Sequence, residues 1–265
     1  MRAVSYYPGC SLHGAAREYG ASTTAVCEAL DIELQELADW TCCGASSGHS
    51  LSPTLGLKLA ARNLTLAEAT GRELVAPCAA CYHRLKVAKK ESASPVEVLH
   101  LLELLSDNET LARIRESVQR PLEGLKTVCY YGCLLVRPPD VTGVADYEDP
   151  QSMDLVMAAI GAEVRRWSFK TDCCGGGITA ARPAVGRRLS SRLVAMAQEA
   201  GADCIVTACP MCQTNLDTGQ REGQDLPVLY FTELLSHAMG LEGTDAWWSR
   251  HMVDPAPVLA ELGVS

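Results

Sequence analysis

The chain has 265 residues, of which 48% are hydrophobic and 21% are charged, so it can bury a core and does not have a disordered composition. Its 23 basic and 32 acidic residues give a net charge of −9, which argues against nucleic acid or an anionic membrane as the main partner. No run reaches the ~18 apolar residues of a membrane helix, and the start lacks a secretory pattern. We therefore expect a cytoplasmic protein without direct membrane insertion, in which disulfides are rare.

The first predicted elements are a strand and, beyond it, an adjacent pair of cysteines. VSYY, at 4–7, is short and apolar and runs directly into a Gly-Cys. TCCGASS, at 41–47, places the cysteine pair before a glycine. Neighbouring residues on a strand point to opposite faces, so Cys42 and Cys43 can serve one site only from a turn, which Gly44 would permit.

Helices are predicted on both sides of this pair. Residues 13–30 form the first. Pro53 suits the first turn of the second, because the missing N–H of proline costs nothing there. Leu55, Leu59 and Leu66 mark the apolar face of this second helix, and we expect them in the core.

A third cysteine motif closes the first half. GRELVAPCAAC, at 71–81, is an apolar strand that leads into CxxC, and VLHLLELLS follows at 98–106. The polar, partly helical residues after it are the predicted linker. The predicted division is a first domain at 1–110, a linker at 111–124 and a second domain with a C-terminal tail at 125–265.

The second half repeats this order of motifs. Its elements are the strand TVCYY at 127–131, a helix near 150–160, TDCCGGG at 171–177, the strand and CxxC of ADCIVTACPMC at 202–212, and VLYFTELLS at 228–236. Leu189, Leu193, Met196 and Ala200 share one helix face, which we expect to be core. Two copies indicate an internal duplication. Strands alternating with helices predict an α/β fold of two pseudo-symmetric, Rossmann-like halves with parallel sheets.

Ten of the thirteen cysteines fall into two sets with matching spacing. In each set 34 residues lie between the adjacent pair and the CxxC, and 31 or 39 residues lie between a single earlier cysteine and the pair. The sets are Cys10, Cys42, Cys43, Cys78 and Cys81, and Cys133, Cys173, Cys174, Cys209 and Cys212. Scattered buried thiols would be spaced irregularly, so the pattern indicates a metal site in each half.

Five cysteines per half restrict the metal. Thiolates suit zinc, copper(I) and iron–sulfur clusters, but structural zinc and a regular cubane each take four protein ligands. The repeated fifth cysteine therefore disfavours both. Gly44, Gly175 and Gly176 would let the backbone approach a cluster, and their N–H groups could bond its sulfurs. These glycines fit neither of the common phosphate-binding motifs.

The doubled pattern of a cysteine, then CysCysGly, then CxxC resembles the twin CCG domains of the B-type heterodisulfide reductase family over residues 10 to about 236. The resemblance implies two noncubane [4Fe–4S] clusters, one held by each set of five cysteines. It implies cleavage of a small disulfide, or oxidation of two thiols, at these clusters. It also implies a ferredoxin-like, C-type iron–sulfur partner that brings cubane clusters, and a flavin-containing or other oxidoreductase partner.

One alternative function stays open. The chain could be a noncatalytic electron-transfer protein that passes electrons between a ferredoxin-like partner and another oxidoreductase. The sequence names neither the substrate nor the direction of the reaction.

Several single residues are also left with two interpretations. His13 and His83 lie close to a cysteine and could protonate released thiolates, or be ordinary surface residues. Arg137 and Lys170 could offer positive charge near the second cluster. The cysteines outside the sets, Cys27, Cys129 and Cys204, are expected to be structural thiols.

Overall fold

The first half of the protein is a four-stranded parallel sheet with helices between its strands. The structure is a computed structural model, and it describes residues 2–45 and 47–260. The strands are β1 Arg2–Tyr6, β2 Ile32–Glu36, β3 Leu74–Ala76 and β4 Val98–His100. The helices are α1 Gly9–His13, α2 Arg17–Ala29, α3 Ser47–Leu51, α4 Pro53–Glu68, α5 Ala79–Ser92, α6 Leu101–Leu105 and α7 Asn108–Ser117.

The second half builds a second sheet of the same kind. Its strands are β5 Lys126–Tyr130, β6 Glu163–Val164, β7 Cys204–Thr207 and β8 Val228–Tyr230. Its helices are α8 Pro139–Thr142, α9 Ser152–Ala159, α10 Gly176–Thr179, α11 Pro183–Glu199, α12 Pro210–Thr218, α13 Phe231–Ala238, α14 Thr244–Trp248 and α15 Ala256–Ala260.

Both sheets have the same strand order. The order is β2-β1-β3-β4 in the first sheet and β6-β5-β7-β8 in the second, and all neighbouring strands are parallel. The registers correspond, since Tyr6 lies opposite Val75 and Cys129 lies opposite Val206. The predicted α/β fold of two duplicated Rossmann-like halves is confirmed. Because parallel strands end at the same edge of a sheet, the cysteine motifs that follow these strands meet there.

The helix that follows the first cysteine pair packs through a different face from the one expected. The prediction that Leu55, Leu59 and Leu66 lie in the core is wrong: Leu55 is 44% exposed and the other two are half-buried. The buried row of α4 contains Gly56, Ala60, Asn63, Leu64 and Ala67. Small residues let the helix approach the cysteine loop closely, so the packed face is not the most apolar one.

The equivalent helix of the second half shows the same shift. Of the expected stripe, Leu193 is buried, whereas Leu189, Met196 and Ala200 are only half-buried. The buried row of α11 contains Gly186, Ser190, Ser191, Leu193, Val194 and Ala197. The other predicted helices are found with changed bounds, since 13–30 contains α2 and only the last residue of α1, and 150–160 contains α9.

The two halves pack against each other through pairs of helices, one from each half. Helix α2 of the first half packs on α13 of the second, and α9 of the second half packs on α6 of the first. At the first of these contacts the Tyr19 and Tyr230 rings stack with centroids 4.2 Å apart. Ser22 Oγ and Thr232 Oγ1 form a buried hydrogen bond of 2.7 Å beside them. The halves therefore form one continuous core.

The C-terminal tail covers the second half. Trp248 is buried next to His237, and the buried His251 ring lies 2.9 Å through Nε2 from Glu233 Oε1. Within the part of the chain that the structure describes, no helix has the length and apolar character needed to cross a bilayer.

Candidate metal centres

The first five cysteines converge from three loops of one sheet edge. Cys10 lies in α1, directly after β1, and the adjacent pair lies in the irregular segment between β2 and α3. Cys78 is the N-cap of α5, and Cys81 lies in the first turn of that helix. The spacing between the cysteine motifs is therefore set by the lengths of the strands and helices between these loops.

Contacts between thiols join these five side chains. Cys43 Sγ lies 3.2 Å from Cys81 Sγ. Hydrogen bonds also join the thiols of Cys10 and Cys42 and those of Cys78 and Cys81. The Gly44 N–H group donates to Cys42 Sγ at 3.4 Å, as expected of a glycine that turns the loop toward a sulfur.

The second five cysteines repeat the arrangement. Cys174 Sγ lies 3.6 Å from Cys212 Sγ, and hydrogen bonds join Cys133 to Cys173 and Cys209 to Cys212. Two backbone N–H groups donate to sulfur here: that of Gly175 to Cys173 Sγ at 3.4 Å and that of Gly176 to Cys174 Sγ at 3.3 Å. The structure thus brings together every cysteine of each predicted set.

Each set has an outer edge and an inner edge. Cys10, Cys42 and Cys173 are exposed and Cys133 is half-buried, whereas Cys43, Cys78, Cys81, Cys174, Cys209 and Cys212 are buried. The outer thiols face solvent at matching places in the two halves. A partner or substrate can reach them without opening the fold.

Glycine is required where the first strand of each half turns toward the CxxC motif. Gly9 has φ +71° and Gly132 has φ +68°, a region that favours glycine. A Cβ at Gly9 would lie 2.9 Å from Cys81 Sγ, and one at Gly132 would lie 3.0 Å from Cys212 Sγ. The chain therefore keeps backbone, not a side chain, beside the inner sulfur, which suits a bulky sulfur-ligated group.

The two sets meet at the interface between the halves. The thiols of Cys78 and Cys209 lie close enough for each to shift the pKa of the other, raising that of Cys78 and lowering that of Cys209. The buried Tyr19 hydroxyl lies between the two CxxC turns, 3.0 Å from the Pro77 carbonyl oxygen and 3.4 Å from that of Ala208. Nothing in the sequence indicated this role for Tyr19, because no tyrosine occupies a matching place in the repeat.

In each half the inner thiol of the adjacent pair has a lowered pKa. A hydrogen bond with the Cys81 thiol, backbone N–H groups and Arg84 lower the pKa of Cys43 to about 7. A hydrogen bond with the Cys212 thiol likewise lowers the pKa of Cys174. The pKa values of Cys81 and Cys212 are raised by the same hydrogen bonds and by burial.

The outer thiols of the two halves differ in the direction of their pKa shift. Donation from Cys133 and from the Gly175 N–H group lowers the pKa of Cys173 to about 6, against the opposing effect of burial. Burial raises the pKa of Cys42, although the Gly44 N–H group opposes it. In the metal-free chain the second half therefore carries the more acidic outer thiol.

The two predicted proton donors lie in different environments. His13 is exposed, with its Nε2 atom 3.3 Å from Glu36 Oε1 and its ring 5.5 Å from the Trp40 ring. His83 is buried, and neither ring nitrogen has a hydrogen-bond partner among the described residues. Burial lowers the pKa of His83 to about 4, so this ring is neutral at pH 7 and a poor acid. The role of either histidine stays a prediction.

The other residues singled out by sequence are either buried or paired with a carboxylate. Cys27, Cys129 and Cys204 are fully buried, as expected. Lys170 is neutralised by Asp149 and Asp154, at 2.7 and 2.8 Å, and offers no free charge. Arg137 is likewise paired with Glu148.

The donor sets fit iron–sulfur chemistry. Each offers five soft sulfur donors, and backbone N–H groups already point at sulfurs, as they do around protein-bound clusters. Among residues 2–45 and 47–260, no three His, Cys, Asp or Glu side chains are arranged to hold a single metal ion.

Comparison with known families and proteins gives consistent matches. The cysteine-rich domain family, CCG, matches residues 4–86 and 127–217, one match in each half. The chain is 29% identical to the membrane anchor subunit of 8-methylmenaquinol:fumarate reductase from Wolinella succinogenes, over 96% of this chain and 98% of that one.

Relatives from archaea share the same full-length match. The chain is 27% identical to the B subunit of the ferredoxin/F(420)H(2)-dependent CoB-CoM heterodisulfide reductase of Methanosarcina acetivorans, over 99% of this chain and 97% of that one. It is 25% identical to a protein of Archaeoglobus profundus that is named as similar to the B subunit of heterodisulfide reductase, over 88% and 89%. The resemblance to the B-type family inferred from the cysteines is confirmed.

One solved structure shares the fold. A crystal structure of a hypothetical protein from Helicobacter pylori superposes with a TM-score of 0.72 at 14% identity. The match covers 96% of this chain but 52% of that one, so the chain spans about half of its length. At this identity the likeness concerns architecture alone.

Proposed function

The chain belongs to the cysteine-rich CCG domain family, and on that premise we propose that it is the iron–sulfur subunit of a heterodisulfide-reductase-like complex. Its full-length relatives are named as subunits of reductase complexes, which supports a role in electron transfer with partner subunits. The finer proposal is that it cleaves a small disulfide, or oxidises two thiols, at two noncubane [4Fe–4S] clusters.

The proposed ligands are the ten cysteines of the two sets. Cys10, Cys42, Cys43, Cys78 and Cys81 would hold one cluster, and Cys133, Cys173, Cys174, Cys209 and Cys212 the other. When bound, the clusters would supply one electron each and a soft surface for sulfur. Gly44, Gly175 and Gly176 would keep their N–H groups on ligand sulfurs.

The observation that carries this proposal is the meeting of the two CxxC turns, where the Tyr19 hydroxyl lies within hydrogen-bond reach of the carbonyl oxygens of Pro77 and Ala208, the residues before Cys78 and Cys209. Breaking a disulfide consumes two electrons and two protons and yields two thiols. A one-electron centre in each half, meeting at a shared interface, matches that requirement. Isolated centres on opposite sides of the protein would not.

The remaining requirement is a proton source for the released thiolates. His13 is exposed in the helix that carries Cys10, and Glu36 lies close enough to hold its ring. The corresponding place in the second half is Val136, which is buried and cannot donate. Proton delivery would therefore be confined to the first half.

A second candidate function is electron relay without disulfide chemistry. The supporting observation is the relative named as part of an 8-methylmenaquinol:fumarate reductase, whose name includes no disulfide. In such a complex the chain would carry electrons between a ferredoxin-like partner and another oxidoreductase, and the exposed cysteine edges would be contact sites for proteins.

The test begins with iron and acid-labile sulfide in protein purified without oxygen. We expect about eight of each per chain, the content of two four-iron clusters. Zinc without iron would overturn the cluster proposal. The spectrum of the loaded protein is then recorded by electron paramagnetic resonance, with and without the CoB–CoM heterodisulfide or glutathione disulfide. A disulfide-cleaving centre changes its spectrum, whereas unchanged spectra favour the relay.

A further inference from the structure

One surface of the second half concentrates unpaired positive charge. Arg182, Arg187, Arg188 and Arg192 are all exposed, and none forms an ion pair with a carboxylate of the described residues. No aspartate or glutamate occurs from 175 to 198. We name these four residues, with the exposed Val185 of α11 and the exposed Ile178 of the neighbouring α10, the arginine face. In a chain of net charge −9, this face is a local reversal of sign.

The first half lacks this charge at matching positions. When α4 and α11 are aligned on Pro53 and Pro183, the four arginines correspond to Ser52, Leu57, Lys58 and Arg62. Of these two cations, Arg62 is neutralised by Asp39. The helix is therefore present in both halves, whereas the cluster of unpaired arginines is present only in the second half.

The arginine face begins beside the second cysteine set. A Cβ on Gly175 would lie 3.0 Å from the Gly186 Cα atom and 3.2 Å from Leu189, so α11 rests against the cysteine loop. The exposed thiol of Cys173 lies in the same loop. A protein that covers the start of α11 would therefore also reach the outer edge of the second set.

We propose that the arginine face is the docking surface of an acidic, ferredoxin-like electron donor, and that electrons enter through the second cysteine set. The inference rests on the proposed function and adds the place of entry. Complementary charge steers association and selects orientation. An acidic donor is repelled by most of this chain and attracted here, while the exposed side chains of Ile178 and Val185 provide apolar contact area.

The test measures binding of an acidic, bacterial-type 2[4Fe–4S] ferredoxin, fluorescently labelled, to the full chain under anaerobic conditions. Arg188→Glu is compared with Lys58→Glu, which makes the same charge change at the matching position of the first half. We expect Arg188→Glu to raise the Kd by ~10-fold at low salt, with the difference shrinking as salt screens it. Lys58→Glu should leave the Kd within about twofold.

Other results would overturn the inference. Equal weakening by both variants would mean attraction without a specific face. Binding by the parent chain that Arg188→Glu leaves unchanged would place the donor elsewhere, while the proposed function would stand. Sedimentation of the parent chain, but not of Arg188→Glu, with phosphatidylserine vesicles and no ferredoxin binding would assign the face to a membrane. None of these three results would change the iron content or the disulfide-dependent spectrum, which test the proposed function separately.

Discussion

The two halves share their cysteine geometry but differ in what surrounds it. In the first half, Arg84 lies one helical turn after the CxxC and lowers the pKa of Cys43. In the second half, the matching Asn215 donates to the Cys174 carbonyl oxygen at 2.5 Å and accepts from Thr179 at 2.6 Å. Charge supports one loop and neutral hydrogen bonds support the other. Ligand geometry was retained through the duplication while the electrostatics diverged, so the two sites are expected to be unequal.

The halves also stabilise an equivalent glutamate differently. Glu103, which is half-buried, and Glu233, which is buried, each accept from the backbone N–H group at the start of their helix. The Tyr82 hydroxyl lies 3.4 Å from Glu103 in the first half, whereas the tail supplies His251 to Glu233 in the second. The tail therefore provides in the second half a contact that the repeat itself provides in the first.

The largest effect is expected from removing a buried proposed ligand of either set. Cys78→Ala and Cys209→Ala should each lower iron from about eight to about four per chain, because each would remove a ligand from one of the two proposed four-iron clusters only. Iron and sulfide analysis of anaerobically purified variants measures this. Cys27→Ala, at a buried thiol outside the sets, is the control and should retain all the iron. If it loses as much as the others, the ligand sets are wrong.

The next effect concerns these two glutamates. His251→Ala leaves Glu233 buried beside an empty site, so it should lower the free energy of unfolding by about 3–5 kcal/mol, the cost of stranding one partner of a buried pair. Tyr82→Phe removes the 3.4 Å hydrogen bond to Glu103 and the 3.1 Å hydrogen bond to the Thr142 carbonyl oxygen, and should cost about 1–2 kcal/mol. Urea denaturation of the metal-free chains compares them. Similar losses would show that the tail contributes no more than the tyrosine.

Sequence spacing predicted the convergence of each cysteine set because strand and helix lengths fix where the loops meet. The sequence pattern wrongly predicted a core position for Leu55. Helix α4 instead packs against the cysteine loop through the face that carries Gly56, where the backbones approach closely. The sequence pattern also missed the contact between Cys78 and Cys209, which depends on how two separately folded halves pack. The sequence did contain a signal for Arg84: it lies three residues after Cys81, and residues at i and i+3 share a helix face.

A smaller difference is expected between the outer thiols of the metal-free protein. At pH 7 the Cys173 thiol, with a pKa of about 6, is mostly thiolate, whereas the raised pKa of Cys42 leaves it protonated. Because thiolate is the nucleophile, iodoacetamide should modify Cys173 ~100-fold faster. The Cys173 rate should fall below pH 6 and level off above pH 7, while the Cys42 rate still rises at pH 9. Peptide mass spectrometry gives both rates, and equal rates at pH 7 would remove the asymmetry.

The smallest effect isolates the charge of Arg84. Arg84→Asn gives the first half the residue of the second, so the pKa of Cys43 should rise from about 7 by less than one unit, because the hydrogen bond with Cys81 stays in place. Carbon NMR titration of the metal-free chain with labelled cysteine measures it. Arg84→Lys keeps the charge and is the control. If the lysine variant shifts as far as the asparagine variant, then guanidinium geometry matters more than charge. If neither shifts, the Cys81 hydrogen bond alone sets the acidity of Cys43, and the inner sites are electrostatically equal.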